Sequence, residues 1–466
     1  EVVSLERLIQ AITASDFTLV PGQITDTGIT VRTQALPDGK TFVHLQKDQL
    51  HQFQLQGPPT AGSPFKGPIL ASVVFKEGAE RFDVSVTDQE EPLAPYTEWL
   101  KSQRLDQTPL TQSYQPSPRD SRVDQLTQTL VEGLANTYDQ ALIGLDALNE
   151  GPVERTADLL RHYQALGGVP TTSNKEREIR TGEVIWMGIL AVHYTNRTGS
   201  LEFVPLMDTI GQYLLSHQQA DGGILGGPLI SIAVTEHNLD ALAYLGMMAQ
   251  LQTRFKDMTW SIDPTQVQRG VAQWLVNRAF VGKDVDGDGD LDGSFQRAQD
   301  DSIFATDTST VGVLAIAAVR AMNPQLAKET GLDRLDLASL MRNAEQRALV
   351  GSQDYVKPDG KTVNVSLFRF QGDNPVSPRS LEWTGQATVA YQVLGEFSNA
   401  QARLIDLRNA SLKDASGHKS LGYAAEVGKT FSDGGWIATA YPAVAPTVWF
   451  KFAEVGLNPF VLEQKQ

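Results

Sequence analysis

Residues 235–251 read TEHNLDALAYLGMMAQL, a start of four polar residues that leads into a stretch that is apolar nearly all round. A helix that carries apolar side chains on every face is normally buried. Five further segments share this design, with acidic, aromatic or hydroxyl residues directly before the apolar part. Their apolar parts are Gln140–Leu148, Val184–Tyr194, Ser309–Ala321, Gly385–Leu394 and Ala443–Val455. The pattern therefore predicts six buried helices.

Amphipathic segments alternate with these buried helices and are typical of helices with one solvated face. They include Arg122–Leu134, Val153–Arg161, Pro264–Phe280 and Leu337–Val350. Six buried helices that alternate with six amphipathic ones make twelve helices in pairs. We therefore predict a mainly α protein whose residues 123–466 form an (α/α)6 toroid, a six-hairpin barrel.

The N-terminal part, residues 1–105, has a different pattern. Runs such as Ile29–Thr33, Phe42–Leu45 and Phe82–Val86 alternate with period two and are separated by turn residues. This pattern predicts a small β-rich region. The polar, proline-containing stretch Gln107–Arg122 is the predicted connection to the helical part.

Composition excludes several classes of function. The chain has 466 residues with 39 Lys and Arg against 55 Asp and Glu, so its formal net charge is −16. An acidic chain without a basic stripe disfavours nucleic acid as a partner. No stretch approaches the ~18 consecutive apolar residues of a membrane span. Cysteine is absent, which removes disulfides, thiolate zinc sites and thiol nucleophiles. The motifs of zinc metalloproteases, α/β-hydrolases and P-loop proteins are also absent from the sequence.

The polar residues at the starts of the buried helices are the candidate site. In a toroid these helices converge on one axis, so their starts can line a shared cleft. The acidic members are Asp139, Glu183, Glu236, Asp307 and Glu382. The predicted substrate-binding residues beside them are Tyr138, Trp186, His237, Asn238, Trp383, Trp436 and Tyr441. Each acid alone could be a helix cap, but five in register would repel one another in a shared cavity.

Carboxylates beside aromatic rings are what sugar recognition and glycosidic hydrolysis require. Hydrolysis needs one protonated acid and one carboxylate base or nucleophile, separated by about 5 Å or about 6.5–9.5 Å. Our preferred catalytic pair is Asp139 with Glu236, and Asp307 and Glu382 are the reserves.

The segments Thr137–Leu142, Thr235–Asp240 and Thr306–Ser309, together with the ending from Gly435 to Phe460, resemble bacterial six-hairpin glycosidase-like proteins. The resemblance covers about residues 123 to 462 and implies an (α/α)6 barrel. It also implies a carbohydrate-active enzyme, since that superfamily consists largely of glycoside hydrolases with some polysaccharide lyases. It places Asp139, Glu236, Asp307 and Glu382 in the cleft without assigning their roles.

A second motif, DVDGDGDLD at residues 284–292, resembles the first nine positions of an EF-hand loop. Its predicted calcium ligands are Asp284, Asp286, Asp288, Asp290 and Asp292, and Gly289 takes position six. Phe295 stands where the EF-hand has a bidentate Glu, so either Asp300 or Asp301 supplies that ligand or the site is weaker. We predict a structural Ca²⁺ ion that holds the loop before the Asp307 helix.

These observations predict an exported glycosidase, periplasmic or extracellular, that acts on a polysaccharide or oligosaccharide. The chain begins at Glu1 without an initiator Met, which we interpret as the loss of a signal peptide. Two alternatives stay open. A polysaccharide lyase would use a Tyr or His base and cations against a uronate, but only Arg180 and Arg379 lie near the helix starts. A non-catalytic glycan-binding toroid would keep the cleft and lack turnover.

Overall fold

The computed structural model describes residues 93–115, 131–151, 153–256, 258–424, 431–433, 436–439 and 441–462, together with six N-terminal strands. Two compact units are distinguished. The first gathers Glu1–Leu93 with the short segment Gly395–Ala402, and the second comprises Ala94–Leu394 and Arg403–Glu463. The predicted division near residue 105 thus lies at Leu93, because the helix that begins at Ala94 belongs to the second unit.

The first unit contains the predicted strands. They are β1 (Thr18–Leu19), β2 (Thr30–Ala35), β3 (Thr41–Gln46), β4 (Gln52–Gly57), β5 (Ile69–Val74) and β6 (Val84–Asp88). Strands β1, β4, β5 and β6 form an antiparallel sheet in that order, and β2 pairs with β3. The period-two runs thus correspond to β2, β3 and β6.

The described part of the second unit is built mainly of helices; the last helix but one also takes its first residues, 397–402, from the segment that is grouped with the first unit. In chain order they are α1 (Ala94–Ser102), α2 (Thr137–Glu150), α3 (Val153–Leu166), α4 (Thr181–Thr198), α5 (Val204–His217), α6 (Thr235–Arg254), α7 (Pro264–Trp274), α8 (Thr306–Met322), α9 (Pro324–Thr330), α10 (Leu337–Ala348), α11 (Leu381–Leu394), α12 (Phe397–Ala410) and α13 (Val444–Val455). A π-helical turn, Leu275–Ala279, extends α7, and a 3-10 turn covers Leu332–Arg334.

The six predicted buried helices form a closed ring. Each of α2, α4, α6, α8, α11 and α13 packs against the next, and α13 packs back against α2. These inner helices bury nearly every residue along their middle, as in α6, where Leu239 to Met248 are buried without interruption. The (α/α)6 toroid is therefore confirmed.

Outer helices pack against this ring. Helix α3 contacts α2 and α4, α5 contacts α4, α7 contacts α6, and α10 contacts α8 and α11. Their starts carry ordinary signals: the Asp263 carboxylate accepts from Thr265 N and Gln266 N, and Pro264 follows at the first helical position. The outer helix predicted at Arg122–Leu134 lies mostly outside the described residues.

Short hairpins join the helices on the face where the inner helices begin. The strands are β7 (Leu225–Gly227), β8 (Ile230–Ala233), β9 (Phe280–Lys283), β10 (Asp292–Phe295), β11 (Leu349–Val356), β12 (Thr362–Phe368), β13 (Arg379–Ser380), β14 (Leu412–Lys413), β15 (Lys419–Ala424), β16 (Phe431–Asp433), β17 (Trp436–Ala438) and β18 (Pro442–Ala443). In the described part of the chain, no helix combines the length and apolarity needed to span a bilayer.

A buried ion-pair cluster supports the closure of the ring. The Lys451 ammonium on α13 donates to Asp146 Oδ2 (2.6 Å) and Glu150 Oε1 (2.6 Å) on α2, and to Thr97 Oγ1 (2.8 Å) on α1. The Lys451 side chain is 2% exposed. Three helices are thus joined where the last inner helix meets the first.

Candidate active site

The starts of the inner helices surround a cavity of about 220 Å³. Six carboxyl groups line it: Asp139, Glu183, Glu236, Asp240, Asp307 and Glu382. The structure thus brings together all four residues that the sequence nominated for catalysis. It adds Asp240, which the sequence analysis missed.

The acids at the helix starts bond mainly across the ring. Glu183 Oε2 on α4 accepts from the backbone N–H of Tyr138 in the neighbouring helix α2 at 2.5 Å. Only Asp307 among the four nominated acids has a described bond to its own first turn, since its Oδ1 accepts from Thr308 N at 2.7 Å. Simple capping therefore does not account for the acidic ring.

Glu382 is held by two tyrosine hydroxyls. Tyr138 donates to Glu382 Oε1 at 3.0 Å, and Tyr423 donates to Oε2 at 2.5 Å. The Tyr138 hydroxyl in turn accepts from Trp449 Nε1 at 2.7 Å. Burial raises the pKa of Glu382 to about 7, although the tyrosine bonds favour its charged form.

Glu236 and Asp307 are hydrogen-bonded to each other, and Glu236 donates. Burial raises the pKa of both groups, and the Asp307 charge raises that of Glu236 further. The pKa of Asp307 is about 6. Two carboxyls in direct contact share one proton and act as a unit with a single negative charge.

Asp139 and Glu183 complete the set of strongly shifted acids at the helix starts. Burial raises the pKa of Asp139 to about 7, opposed by bonds from the Ser113 hydroxyl, the Asn136 amide and the Ala445 N–H. Burial raises the pKa of Glu183 to about 8. The positive ends of the inner helices favour negative charge in the cavity, but burial outweighs them.

Asp240 lies one helical turn beyond Glu236 on α6, so both side chains point to the same side of that helix. It is 1% exposed, and its Oδ2 accepts from Trp186 Nε1 at 3.1 Å. Its Oδ1 has no hydrogen-bond partner in the described structure. The four-residue spacing from Glu236 was the signal in the sequence that could have identified it.

Aromatic rings form much of the remaining wall. Tyr138, Trp186 and Trp383 line the cavity as predicted. Trp383 stacks on Phe370 with centroids 4.8 Å apart, and Trp186 meets Tyr138 edge to face at 5.1 Å. Phe370 and Tyr423, both from loops or strands rather than inner helices, were missed because neither follows the helix-start pattern.

His237 also lines the cavity, beside Arg180. Burial, and secondarily the Arg180 charge, lowers the pKa of His237 to about 4, so the imidazole is neutral at pH 7. Its buried Nδ1 has no partner in the described structure. The ring lies against Gly182, where an added Cβ would approach Cδ2 to 2.5 Å.

Two predicted substrate-binding residues, Asn238 and Tyr441, are not among the residues that line the cavity, and the prediction for Trp436 stays untested. Asn238 does not line the cavity: its side chain accepts from Ile224 N (2.8 Å) and donates to the carbonyls of Ile224 and Val234. It secures the loop before β7 and has no group left for a sugar. Tyr441 is buried in an apolar cluster with Tyr114 and Tyr423. Trp436 lies on β17, and its side chain is outside the described residues.

The acidic loop keeps part of its predicted geometry. Oxygen atoms of Asp284, Asp286 and Asp288 lie within 4.8 Å of one another and could hold a metal ion. Gly287 and Gly289 have φ of +81° and +97° and let the loop wrap around the carboxylates. Their N–H groups donate to Asp284 at 2.6 and 3.1 Å.

Asp290 and Asp292 are not part of this three-residue group. Asp292 lies on β10 and pairs with Arg342 at 3.0 Å, so its carboxylate is already engaged. Asp301, suggested as the missing bidentate ligand, pairs with Arg297 at 2.8 Å and accepts from Ile303 N. Asp301 thus has an arginine partner, and its role as a calcium ligand stays a prediction.

Solved structures share this fold at low sequence identity. A glycosidase variant in complex with glucose aligns over 78% of this chain and 97% of its own, with a TM-score of 0.50 and 12% identity. A sugar epimerase from a ruminal bacterium aligns over 78% and 96%, with a TM-score of 0.50 and 8% identity. A glycoside hydrolase family 76 mannosidase from Bacteroides thetaiotaomicron aligns over 78% of this chain and 96% of its own, with a TM-score of 0.49 and 11% identity.

No family model matches the chain, and no curated protein matches it in sequence. The likeness to solved structures establishes the fold. The chain is an (α/α)6 toroid of the six-hairpin type, with an acidic, aromatic-lined cavity at the starts of its inner helices.

Proposed function

We propose that the protein is a glycoside hydrolase that cleaves an oligosaccharide or polysaccharide in this cavity. The observation that carries the proposal is the convergence of carboxyl groups with raised pKa values and aromatic rings in one pocket. Paired carboxyls of different protonation state perform glycosidic hydrolysis, and aromatic faces pack on sugar rings. The glycosidase and the epimerase with which the chain shares its fold both act on sugars by their names.

The contacts restrict the choice of catalytic pair. Glu236 and Asp307 are hydrogen-bonded, which is closer than the ~5 Å minimum between two carboxyls that flank a glycosidic bond. They therefore act together as one member of the catalytic pair and carry one shared negative charge. Asp139, on α2, is the other member of the catalytic pair.

Asp139 suits the role of general acid. A pKa of about 7 keeps a proton available at neutral pH for the leaving oxygen. The Glu236–Asp307 pair then activates water or attacks the anomeric carbon. Glu382 is anchored by Tyr138 and Tyr423, and we assign it to positioning and charge balance.

The lyase alternative is less well supported. A uronate would enter a cavity with six carboxyl groups, and Arg180 is the only Lys or Arg among the described lining residues. The proposed reaction is therefore hydrolysis of a neutral sugar chain. A binding protein without turnover and an epimerase remain as outcomes of the test.

The test compares wild type with Asp139→Asn, Glu236→Gln and Asp307→Asn on a panel of neutral and acidic glycans, with products identified by mass spectrometry. Products with one added water establish a hydrolase. We expect each substitution to lower kcat by about 10²-fold or more while sugar affinity is retained. Asp208→Asn, on outer helix α5, is the matched control.

Other products would overturn the proposal. An unsaturated uronate would indicate a lyase, and an isomer of unchanged mass would indicate an epimerase. Binding without any product would indicate a glycan-binding toroid. Wild-type turnover in all three variants would refute the catalytic assignment itself.

We further propose that Asp284, Asp286 and Asp288 bind Ca²⁺, since clustered carboxylate oxygens suit this ion. The loop lacks a bidentate Glu, which favours a weak site that fills at millimolar concentration. Such calcium levels occur outside the cytoplasm, and this supports an exported protein. Fractionation of the producing cells tests the location: recovery from the cytoplasm alone would contradict export.

A further inference from the structure

All six inner helices contribute residues to the wall of the cavity. Each inner helix contributes a residue of its first turn to the lining. These residues are Asp139 from α2, Glu183 from α4, Glu236 from α6, Asp307 from α8, Glu382 from α11 and Ala445 from α13. A groove for a long chain would need two open ends. A wall supplied by all six helices instead defines a pocket.

The pocket has an aromatic floor. Trp186 lies between the cavity and the rings of Trp449 and Phe460, with centroid distances of 6.0 and 5.5 Å. Trp186 is 3% exposed and Trp449 is fully buried. A sugar chain therefore cannot continue through the middle of the toroid.

The size of the pocket fits one ring. Its volume of about 220 Å³ is smaller than the roughly 300–1,000 Å³ of sites that hold drug-sized ligands. Two linked pyranose rings would need a second space beyond the rim. The second sugar of a bound chain therefore lies at the mouth.

Two residues that line the pocket carry buried polar atoms without protein partners in the described structure. Asp240 Oδ1 and His237 Nδ1 are both in this state, and both residues line the pocket. Buried polar atoms are nearly always hydrogen-bonded in a folded protein. Unpaired polar atoms on two residues that line a sugar-sized pocket point to a ligand with several hydroxyl groups.

We propose, on the basis of the function proposed above, that the enzyme is exo-acting and removes a single neutral sugar from the non-reducing end of a chain. Asp240 and His237 bind the hydroxyl groups of that terminal sugar and determine which sugar is accepted. In each turnover the bond between the anomeric carbon and the bridging oxygen breaks. The anomeric carbon receives the oxygen of one water molecule, and the shortened chain leaves with a proton on its terminal oxygen.

The first experiment follows cleavage with time. The probes are manno- and gluco-oligosaccharides of two to six units that are labelled at the reducing end. We expect the labelled chain to shorten one unit at a time, with monosaccharide as the first unlabelled product. Early products of intermediate length would overturn exo action and leave hydrolysis standing, whereas no cleavage of any glycan in the wider panel would count against hydrolysis itself.

The second experiment measures binding and does not depend on turnover. Methyl glycosides and the same oligosaccharides are titrated into Asp139→Asn by calorimetry. For the sugar that binds, affinity should change less than about threefold between two and six units. A steady gain with chain length would show several subsites and overturn the one-ring pocket.

The third experiment tests the two recognition residues in the Asp139→Asn background. Adding Asp240→Ala or His237→Ala should weaken binding of the best methyl glycoside by about tenfold, which corresponds to one lost hydrogen bond in a buried site. Adding Asp208→Asn should leave affinity unchanged. Asp240→Asn keeps the shape if the Ala variant does not fold, and we expect it to weaken binding at least threefold. Unchanged affinity in these variants would remove Asp240 and His237 from the proposal.

Discussion

At the scale of single residues, the protonation of Asp139 governs the expected pH dependence. Burial raises its pKa to about 7, and a general acid works only while it carries its proton. We predict that kcat/KM falls about tenfold per pH unit above pH 7. The measurement is a pH–rate profile of wild type between pH 4 and 9.

A matched variant separates this effect from unfolding. Asp139→Glu keeps the acid but displaces it, so its lower rate should still fall with rising pH. The residual kcat/KM of Asp139→Asn should not show a comparable fall above pH 7. A wild-type profile that stays flat to pH 9 would contradict the role of Asp139 as acid.

Most acids of the site could be predicted from the sequence because each begins an inner helix, where the polar start contrasts with the apolar run. Asp240 could not be separated from its apolar neighbours in this way, since it lies within the run. Asn238 was misassigned for the opposite reason. It stands at a helix start, but its amide satisfies the backbone of the loop before β7.

At the scale of structural elements, the acidic loop should respond to calcium. We predict that 10 mM Ca²⁺ raises Tm by about 2 °C in wild type, because a ligand that binds only the folded state stabilises it by about 1.4 kcal/mol at ten times a millimolar Kd. Thermal unfolding with Ca²⁺, Mg²⁺ and chelator is the measurement. The rise should be absent in Asp286→Asn/Asp288→Asn, and equal shifts in both proteins would disprove the site.

The Lys451 cluster is a second element-scale test. In Lys451→Met the Asp146 carboxyl, 8% exposed, loses its counter-charge, and we expect unfolding free energy to fall by about 3–5 kcal/mol. Urea denaturation measures this loss. The double variant Lys451→Met/Asp146→Leu should recover most of it, because replacing both buried charges by apolar groups removes the unpaired charge.

Failure of that recovery would mean that the ion pair itself stabilises the junction of α2 and α13. Neither the pair nor its geometry was predictable from sequence. Lys451 and Asp146 are 305 positions apart, and each has apolar neighbours directly before and after it in its helix. The helices themselves were predictable, because hydrophobic periodicity is a local property of the chain.

At the scale of the whole molecule, the buried acids make stability depend on pH. Asp139, Glu183, Asp307 and Glu382 have folded-state pKa values of about 7, 8, 6 and 7, above the ordinary values of 3.8 and 4.5. The folded state therefore holds protons that the unfolded chain releases. The stability that these four groups contribute is fully present below about pH 4. It is lost as the pH rises through their folded-state pKa values of about 6 to 8.

We predict that Tm falls by about 5 °C or more between pH 5 and pH 8. The contribution of His237 to stability changes with pH in the opposite direction, because its lowered pKa of about 4 favours folding above pH 6.5. The combined contribution of the four acids is expected to outweigh that of this single group. Differential scanning calorimetry across this range is the measurement. Glu183→Gln should show a shallower fall, and a Tm that rises from pH 5 to pH 8 would contradict the raised pKa values.

The closure of the ring by α13 has a consequence for biosynthesis. The pocket takes its first wall from α2, near residue 139, and its last from Ala445, while Trp449 completes the hydrogen bond to Tyr138. A nascent chain on the ribosome has five of the six walls until this final segment emerges from the exit tunnel. The complete pocket can therefore form only after the segment that contains Ala445 and Trp449 has been synthesised.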